Sequence, residues 1–360
     1  MARVRIAFIG TGRWATLQHL PVIRVLKEHL ELVCLYGRNA DRVGALAQEY
    51  GVPGYSNLDQ MFDKHQVDMV CAIVSCRANH EIVSQVAERG YSCVLETPIE
   101  FDLKKAYAMF DLVRRHKVKL EISENGFRMP GERLVKKLLD AGLFGKVLVA
   151  YNDVRAHGYH GISMLRNYIG FDVAPVSVTG HHLGVASSDA NGDERILKTR
   201  FGIIEFANRS VGLHAMGSDF PFNAAPVRKR FLAEKGWMAE SQGVYGEAKQ
   251  PREFRLHRVG KEINGVDVCQ RMVASTDPEI VWENPLAHLP LDDLKLSVAQ
   301  VIMSMARAVR EGVEQEYSLH NAYVDYAIDS AMCSSNVNGR RIAFPLDLEQ
   351  IGAERALEKY

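Results

Sequence analysis

A glycine-rich turn near the start of the chain is the first group of residues with a defined chemistry. Gly10-Thr11-Gly12-Arg13-Trp14-Ala15 reads GxGxxA, directly after the apolar run Val4–Gly10 and before a helical pattern. The first glycine permits a tight turn, the second lets the backbone approach a pyrophosphate, and the small alanine lets helix and strand pack closely. Free N–H groups at the helix start then meet the phosphate charge. At a first strand–helix turn the motif predicts a dinucleotide, held by Gly10, Thr11, Gly12, Arg13 and Trp14. The end of the second strand normally offers a carboxylate to the adenosine ribose of NAD. Here Gly37 stands in that place, followed by Arg38 and Asn39, with Arg42 one turn later. Loss of the acid removes repulsion, and Arg38 can pair with a 2′-phosphate in a charge-assisted fork. The expected cofactor is NADP, with NAD as the alternative.

Such a turn needs a scaffold, and the first 120 residues have its pattern. Val4–Gly10, Leu30–Tyr36, Asp68–Val74, Tyr91–Leu95 and Lys117–Ile122 are strand-like apolar runs. Between them Leu17–Glu28, Ala40–Tyr50, Leu58–Lys64, His80–Arg89 and Leu103–Arg115 carry helical spacing. Asn39 and Asp102 are candidate N-caps. This alternation predicts a parallel sheet covered by helices on both faces.

After about Asn125 the pattern changes. Helices are expected at Gly131–Ala141 and Gly161–Ile169, then strands at Val176–Gly180, Ile203–Ala207, Ser210–Met216, Val227–Glu234 and Trp237–Ser241. Their turn-rich connections predict an antiparallel sheet. Two helices, Asp293–Glu311 and Leu319–Asn336, and a short strand, Arg340–Phe344, close the chain. The expected domains are 1–124, which binds the dinucleotide, and 125–360, an α+β domain for substrate binding and oligomerisation. Substrate is expected between them.

The bulk numbers narrow the class. A chain of 360 residues suits two domains better than one core. Forty-four basic residues balance forty-four acidic ones, so no bulk field attracts nucleic acid or a membrane surface. The opening residues lack the apolar region of a signal peptide, and no apolar run is long enough for a bilayer. The six cysteines sit mostly in apolar runs without metal-ligand or disulfide spacing, and read as the packed thiols of a cytoplasmic protein. His181-His182 is no metal pair, because neighbours on a strand point to opposite faces. No metal is expected.

Several motifs, in order, resemble the glucose-fructose oxidoreductase / inositol dehydrogenase (Gfo/Idh/MocA) family. They are the Gly10–Ala15 turn, Ser75-Cys76-Arg77-Ala78-Asn79-His80, Glu96-Thr97-Pro98, Glu124-Asn125-Gly126-Phe127-Arg128-Met129-Pro130 and Gly158-Tyr159-His160. The resemblance implies an N-terminal Rossmann domain, a C-terminal α+β domain with a large open, mainly antiparallel sheet, and dimers or tetramers. It also implies oxidation or reduction of a sugar or cyclitol, and adds Ser75, His80, Glu96 and Glu124 to the cofactor-binding residues. Two departures follow. The family has Lys where this chain has Thr97, and a cation there lowers the pKa of the alcohol being deprotonated. Acids common in the family are replaced by Ala156 and Ser163, leaving His160.

His160 is therefore the candidate proton relay, since imidazole exchanges protons near neutral pH. Tyr159, His157 and Thr97 are the secondary catalytic candidates. The leading expectation is an NAD(P)-dependent oxidoreductase acting on a hydroxyl or keto group of a sugar- or cyclitol-like molecule. The alternatives are a redox-neutral lyase or glycosidase that uses the nicotinamide transiently, and a non-catalytic cofactor-binding regulator. The expected partners are a small-molecule substrate and further copies of the chain, with no nucleic acid and no membrane.

Overall fold

The computed structural model describes residues 2–152, 158–188, 193–216 and 229–356. These residues fall into two compact units: Met1–Met129 with Gly260–Cys269 and Pro285–Tyr323, and Pro130–Val259 with Gln270–Asn284 and Val324–Tyr360.

The first unit is built on a six-stranded parallel sheet. Its strands are β1 (Val4–Ile9), β2 (Leu30–Tyr36), β3 (Gly54–Tyr55), β4 (Met69–Ala72), β5 (Ser92–Leu95) and β6 (Leu120–Ile122), in the order β3-β2-β1-β4-β5-β6. Ile6 to Ile9 and Met69 to Ala72 are fully buried, because helices cover both faces of the two central strands. The helices are α1 (Leu20–Val25), α2 (Ala40–Tyr50), α3 (Leu58–Lys64), α4 (Asn79–Glu88) and α5 (Leu103–His116). Asn39 caps α2 by accepting from the Arg42 N–H, and Asp102 caps α5 by accepting from Lys104 and Lys105.

Two elements differ from the sequence reading. The expected helix Leu17–Glu28 begins as a π turn, Ala15–His19, and continues as the short α1. Pro21 lies at the junction, and its ring excludes an ordinary α-helical ladder with the preceding turn. Leu20 N–H instead bonds Ala15 O, five residues back. The strand expected from Lys117 starts at Leu120, because Lys117 adopts a left-handed conformation (φ 54°) that ends α5.

The remaining helices are α6 (Pro130–Asp140), α7 (Gly158–Ile169), α8 (Asp293–Glu311), α9 (Leu319–Asn338) and α10 (Leu348–Ala356). α8 packs against β4, β5 and β6, so the first unit extends beyond the residues before 125. The cause is its apolar stripe, from Leu296 through Val298, Val301 and Ile302 to Met305, all fully buried.

The later strands are β7 (Val147–Asn152), β8 (Pro175–Ser188), β9 (Glu194–Phe206), β10 (Val211–Met216), β11 (Lys229–Ala233), β12 (Gly236–Ala239), β13 (Gln242–Tyr245), β14 (Arg252–Ile263), β15 (Val266–Ala274), β16 (Ile280–Glu283) and β17 (Ile342–Ala343). They form one sheet in the order β16-β15-β14-β13-β12-β11-β7-β10-β9-β8-β17. β7 and β10 run parallel, whereas the neighbouring hairpins are antiparallel. The runs Val176–Gly180 and Ile203–Ala207 are fragments of the long hairpin β8–β9. β14, β15 and β16 escaped the sequence reading, since β14 (REFRLHRVGKEI) is exposed on most residues and alternates weakly.

Alternation gives this sheet two distinct faces. Val178, Ile204, Ala150, Phe231, Met238 and Phe254 are buried on the inner face. Phe144 stacks edge-on to Phe231 there, with ring centroids 5.0 Å apart. The outer face leaves Phe201, Ile203, Leu232 and Trp237 exposed.

All six cysteines are free and buried. Burial pushes the thiols of Cys34 and Cys93 up to about 12, so they stay protonated and unreactive at neutral pH. Among the described residues no helix is long and apolar enough to cross a membrane, and no cluster has metal-binding geometry. His181 is exposed on the outer face, whereas His182 is half-buried and its N–H bonds Asn336.

Candidate functional site

In the first unit the candidate residues gather at the carboxyl ends of the parallel strands. Strand order reverses between β1 and β4, and such a switch point is where open α/β sheets bind ligands. Gly10 takes φ 131°, and a Cβ on it would lie 2.1 Å from Ile73 O, so only glycine fits this turn. A Cβ on Gly12 would meet nothing within 4 Å, which makes this the open cradle of the turn. Ala15 is fully buried, as close helix–strand packing requires, while Gly12, Arg13 and Trp14 form an exposed rim and Thr11 is half-buried.

Glu96 and Thr97 follow β5 at the same end of the sheet. Glu96 Oε1 accepts from the Trp14 indole at 3.0 Å and lies 2.6 Å from His19 Nε2. Its Oε2 accepts from Thr97 N–H at 3.0 Å and approaches Thr97 Oγ1 at 3.5 Å. The loop after β5 is held by one amide: Asn79 Nδ2 donates to the carbonyls of Glu96, Pro98 and Ile99. Glu96 thus ties the phosphate turn to the β5 loop and orients Thr97. Sequence reasoning missed His19, which is fully buried. The signal was a histidine at the end of the first helical turn.

The other first-unit candidates separate. Arg38 and Arg42 are exposed beside the β2 end, and Asn39 spends its side-chain oxygen on capping α2. Ser75 is exposed and His80 half-buried after β4. Glu124 is 1% exposed, its Oε1 accepts from Gly126 N–H at 3.0 Å, and its carbonyl accepts from buried Arg128 at 2.6 Å.

In the second unit α7 carries Tyr159 and His160 in its first turn, both half-buried, with ring centroids 4.4 Å apart. Ser163 Oγ donates to His160 O at 2.8 Å. His157 and Ala156 lie outside the described residues. Beneath this turn lies a polar group that sequence reasoning missed: Asn152, His214 and Asp329, each 3–4% exposed. His214 Nδ1 is 2.6 Å from Asn152 Oδ1, and burial lowers its pKa to about 4. The signal for His214 was its place on the inward face of an alternating strand, where a polar ring needs a partner. On the outer face Tyr151, Thr179, His181, Phe201, Ile203 and Leu213 line a cavity of about 310 Å³.

Comparisons with known proteins bear on the fold and the family resemblance. Residues 4–124 match the profile of the oxidoreductase family with an NAD-binding Rossmann fold. An uncharacterized oxidoreductase of Schizosaccharomyces pombe is 26% identical over 151 residues, 41% of this chain and 41% of that protein. The scyllo-inositol 2-dehydrogenase (NAD+) of Bacillus subtilis is 22% identical, over 55% of this chain and 59% of its own. The chain thus matches only about two fifths to three fifths of the length of these relatives. Solved structures share the fold end to end. An oxidoreductase from Agrobacterium radiobacter, in complex with NAD+, L-tartaric acid and magnesium, has a TM-score of 0.73 at 14% identity, covering 98% and 99% of the two chains. A levoglucosan dehydrogenase, in complex with NADH and levoglucosan, has a TM-score of 0.72 at 16% identity, covering 96% and 100%. With its GxGxxA turn, strand order and matched profile, the segment 4–124 is similar to the Gfo/Idh/MocA oxidoreductase family and has the NAD-binding Rossmann fold of that family's profile.

Proposed function

We propose that the protein is an NAD(P)-dependent oxidoreductase acting on a hydroxyl or keto group of a sugar- or cyclitol-like small molecule. The observation that carries this reading is the open Gly12 cradle at the β1–β4 switch point, with Thr97 held at the same strand ends. The names of two similar proteins, an inositol dehydrogenase and a levoglucosan dehydrogenase, support the substrate class. The residues fit the cofactor: Gly10, Thr11, Gly12, Arg13 and Trp14 would hold the pyrophosphate. When bound, the nicotinamide supplies the hydride acceptor or donor. Glu96 orients Thr97 through its N–H, and His160 takes the hydroxyl proton on oxidation or returns it on reduction. Tyr159 packs against that ring. A redox-neutral lyase or glycosidase reaction is the second reading, favoured by Thr97, which brings a hydroxyl and no charge to its position.

Absorbance at the reduced-nicotinamide band, recorded with sugars, uronates and cyclitols in turn, tests the proposal. Net cofactor reduction is expected with at least one class. Product without net reduction supports the second reading, and a cofactor-loaded protein inert across the panel sinks both.

The cofactor preference belongs to the same proposal. Arg38→Ala is expected to weaken NADP binding about tenfold while changing NAD binding little, since only NADP carries the 2′-phosphate. Calorimetric titration with each cofactor decides it, and equal weakening removes the argument. Gly37→Asp is a poorer test. A Cβ at Gly37 would lie 2.5 Å from the Thr11 methyl and 3.3 Å from Val43 Cβ, so it disturbs the phosphate turn as well.

The proposal also includes a homodimer or homotetramer joined through the outer sheet face, where Phe201, Ile203, Leu232 and Trp237 are 39–49% exposed. Apolar surface of this kind on one face of a sheet marks an interaction site. Light scattering at micromolar concentration is expected to give a multiple of the 40.3 kDa chain mass. The monomer mass would refute the interface.

A further inference from the structure

The first turn of α7 rests on Asn152 from β7, His214 from β10 and Asp329 from α9, and its two glycines are fitted to them. A Cβ on Gly158 would fall 2.2 Å from Asp329 Oδ1 and 3.8 Å from His214 Nε2. A Cβ on Gly161 would fall 2.4 Å from His214 Cε1 and 2.7 Å from Asn152 Oδ1. Glycine is required at both positions for space.

The bonding fixes the proton on His214. Asn152 Nδ2 donates to Gly161 O, which can only accept, so Asn152 Oδ1 is the atom facing the imidazole. His214 Nδ1 therefore carries the hydrogen. Burial holds this ring neutral, with Asp329 opposing the shift and Arg200 adding to it. Its Nε2 is then a buried lone pair without a hydrogen-bond partner. Asn152 and His214 thus link β7 and β10 to the backbone of the helix start, while Asp329 sets a carboxylate against its first residue. The stretch Ala156–Ser163 contains no acid of its own.

We propose that Asp329 is the charge partner of the helix end that carries His160, and that His214 and Asn152 lock that end in position. This deepens the proton-relay reading of His160 and rests on it. All three act as positioning residues. The positive end of a helix disfavours a protonated imidazole, and a carboxylate at that end offsets the effect. The titratable and charged groups that face this end include Asp329, His214, Arg200 on β9 and Tyr159 of α7 itself.

The test is a histidine NMR titration of the full chain, with the His160 signal assigned through His160→Gln. Asp329→Asn keeps the shape and removes the charge, and is expected to lower the His160 pKa by roughly half a unit or more. In the same variant kcat is expected to fall about tenfold, with KM and cofactor affinity changed by less than about threefold. Should Asp329→Asn fail to fold, Asp329→Ser, smaller and equally uncharged, serves in its place. An unshifted His160 titration in a folded variant overturns the proposal, as does a uniform loss of stability with kcat intact. The titration needs no turnover. A wild-type protein inert on every substrate would therefore sink the oxidoreductase reading while leaving this result interpretable.

Discussion

Replacing His160 with glutamine is expected to lower turnover by about 10²–10⁴-fold, the usual worth of one general base. Melting temperature should move only a few degrees. The ring is half-buried rather than packed in the core, and it lies against the neighbouring Tyr159. The bond from Ser163 Oγ goes to the backbone carbonyl of His160 and survives the substitution. Turnover and melting should be measured on one preparation, with cofactor loading verified. A stable, loaded His160→Gln protein with wild-type turnover would end the case for this histidine and move attention to Tyr159 and His157. Thr97→Lys alone is not expected to raise sugar oxidation, since the stretch around His160 still lacks an acid.

The largest stability effect is expected in the first unit, at Arg128→Met. Arg128 is fully buried and donates to Glu316 Oε2 at 3.0 Å, to Glu124 O at 2.6 Å and to Glu121 Oε1. Glu121 is equally buried and also accepts from Ser304 Oγ at 2.7 Å and Tyr317 N–H at 3.2 Å. Removing the cation strands a carboxylate in the core, which costs about 3–5 kcal/mol. Burial already raises the Glu121 pKa, against the pull of Arg128, and without the cation it rises further. A carboxyl raised in the folded state favours folding below its ordinary pKa, and loses that contribution as pH rises through the raised value. The deficit of Arg128→Met should therefore be greatest near pH 7 and shrink on acidification towards pH 5. Urea unfolding at both values checks this. A loss below about 1 kcal/mol, or one independent of pH, would show that the pair carries little of the unit's stability. Adding Glu121→Gln should recover part of the loss, since the stranded charge is then gone.

What could be read from the sequence was what is local. The strand–glycine turn–helix start lies within a dozen residues, and Asn39 and Asp102 each cap through atoms two or three residues away. The engagement of Glu96 was not legible, because His19 and Trp14 reach it from 77 and 82 residues away. The Asn152–His214–Asp329 group draws on three elements, and each residue taken alone resembles an ordinary polar side chain. Arg128 belonged to a motif whose order was recognisable, yet its role as the centre of a buried ion group depends on Glu316 from a distant segment. Periodicity failed where apolar residues are sparse and a strand is mostly exposed, as in β14.

The π turn at Ala15–His19 has a consequence for chain length. Its ladder spans five residues where an α turn spans four, so it accommodates one residue beyond the helical repeat. The surplus sits at Thr16–Gln18, between the buried Ala15 and the buried His19. A chain one residue shorter at this point, and without a proline in the place of Pro21, could close an ordinary α turn and still present a histidine to the carboxylate after β5. This turn is thus a place where an insertion or deletion can be absorbed. An alignment that forbids a gap inside this helix would set His19 against the wrong residue in a relative of different length.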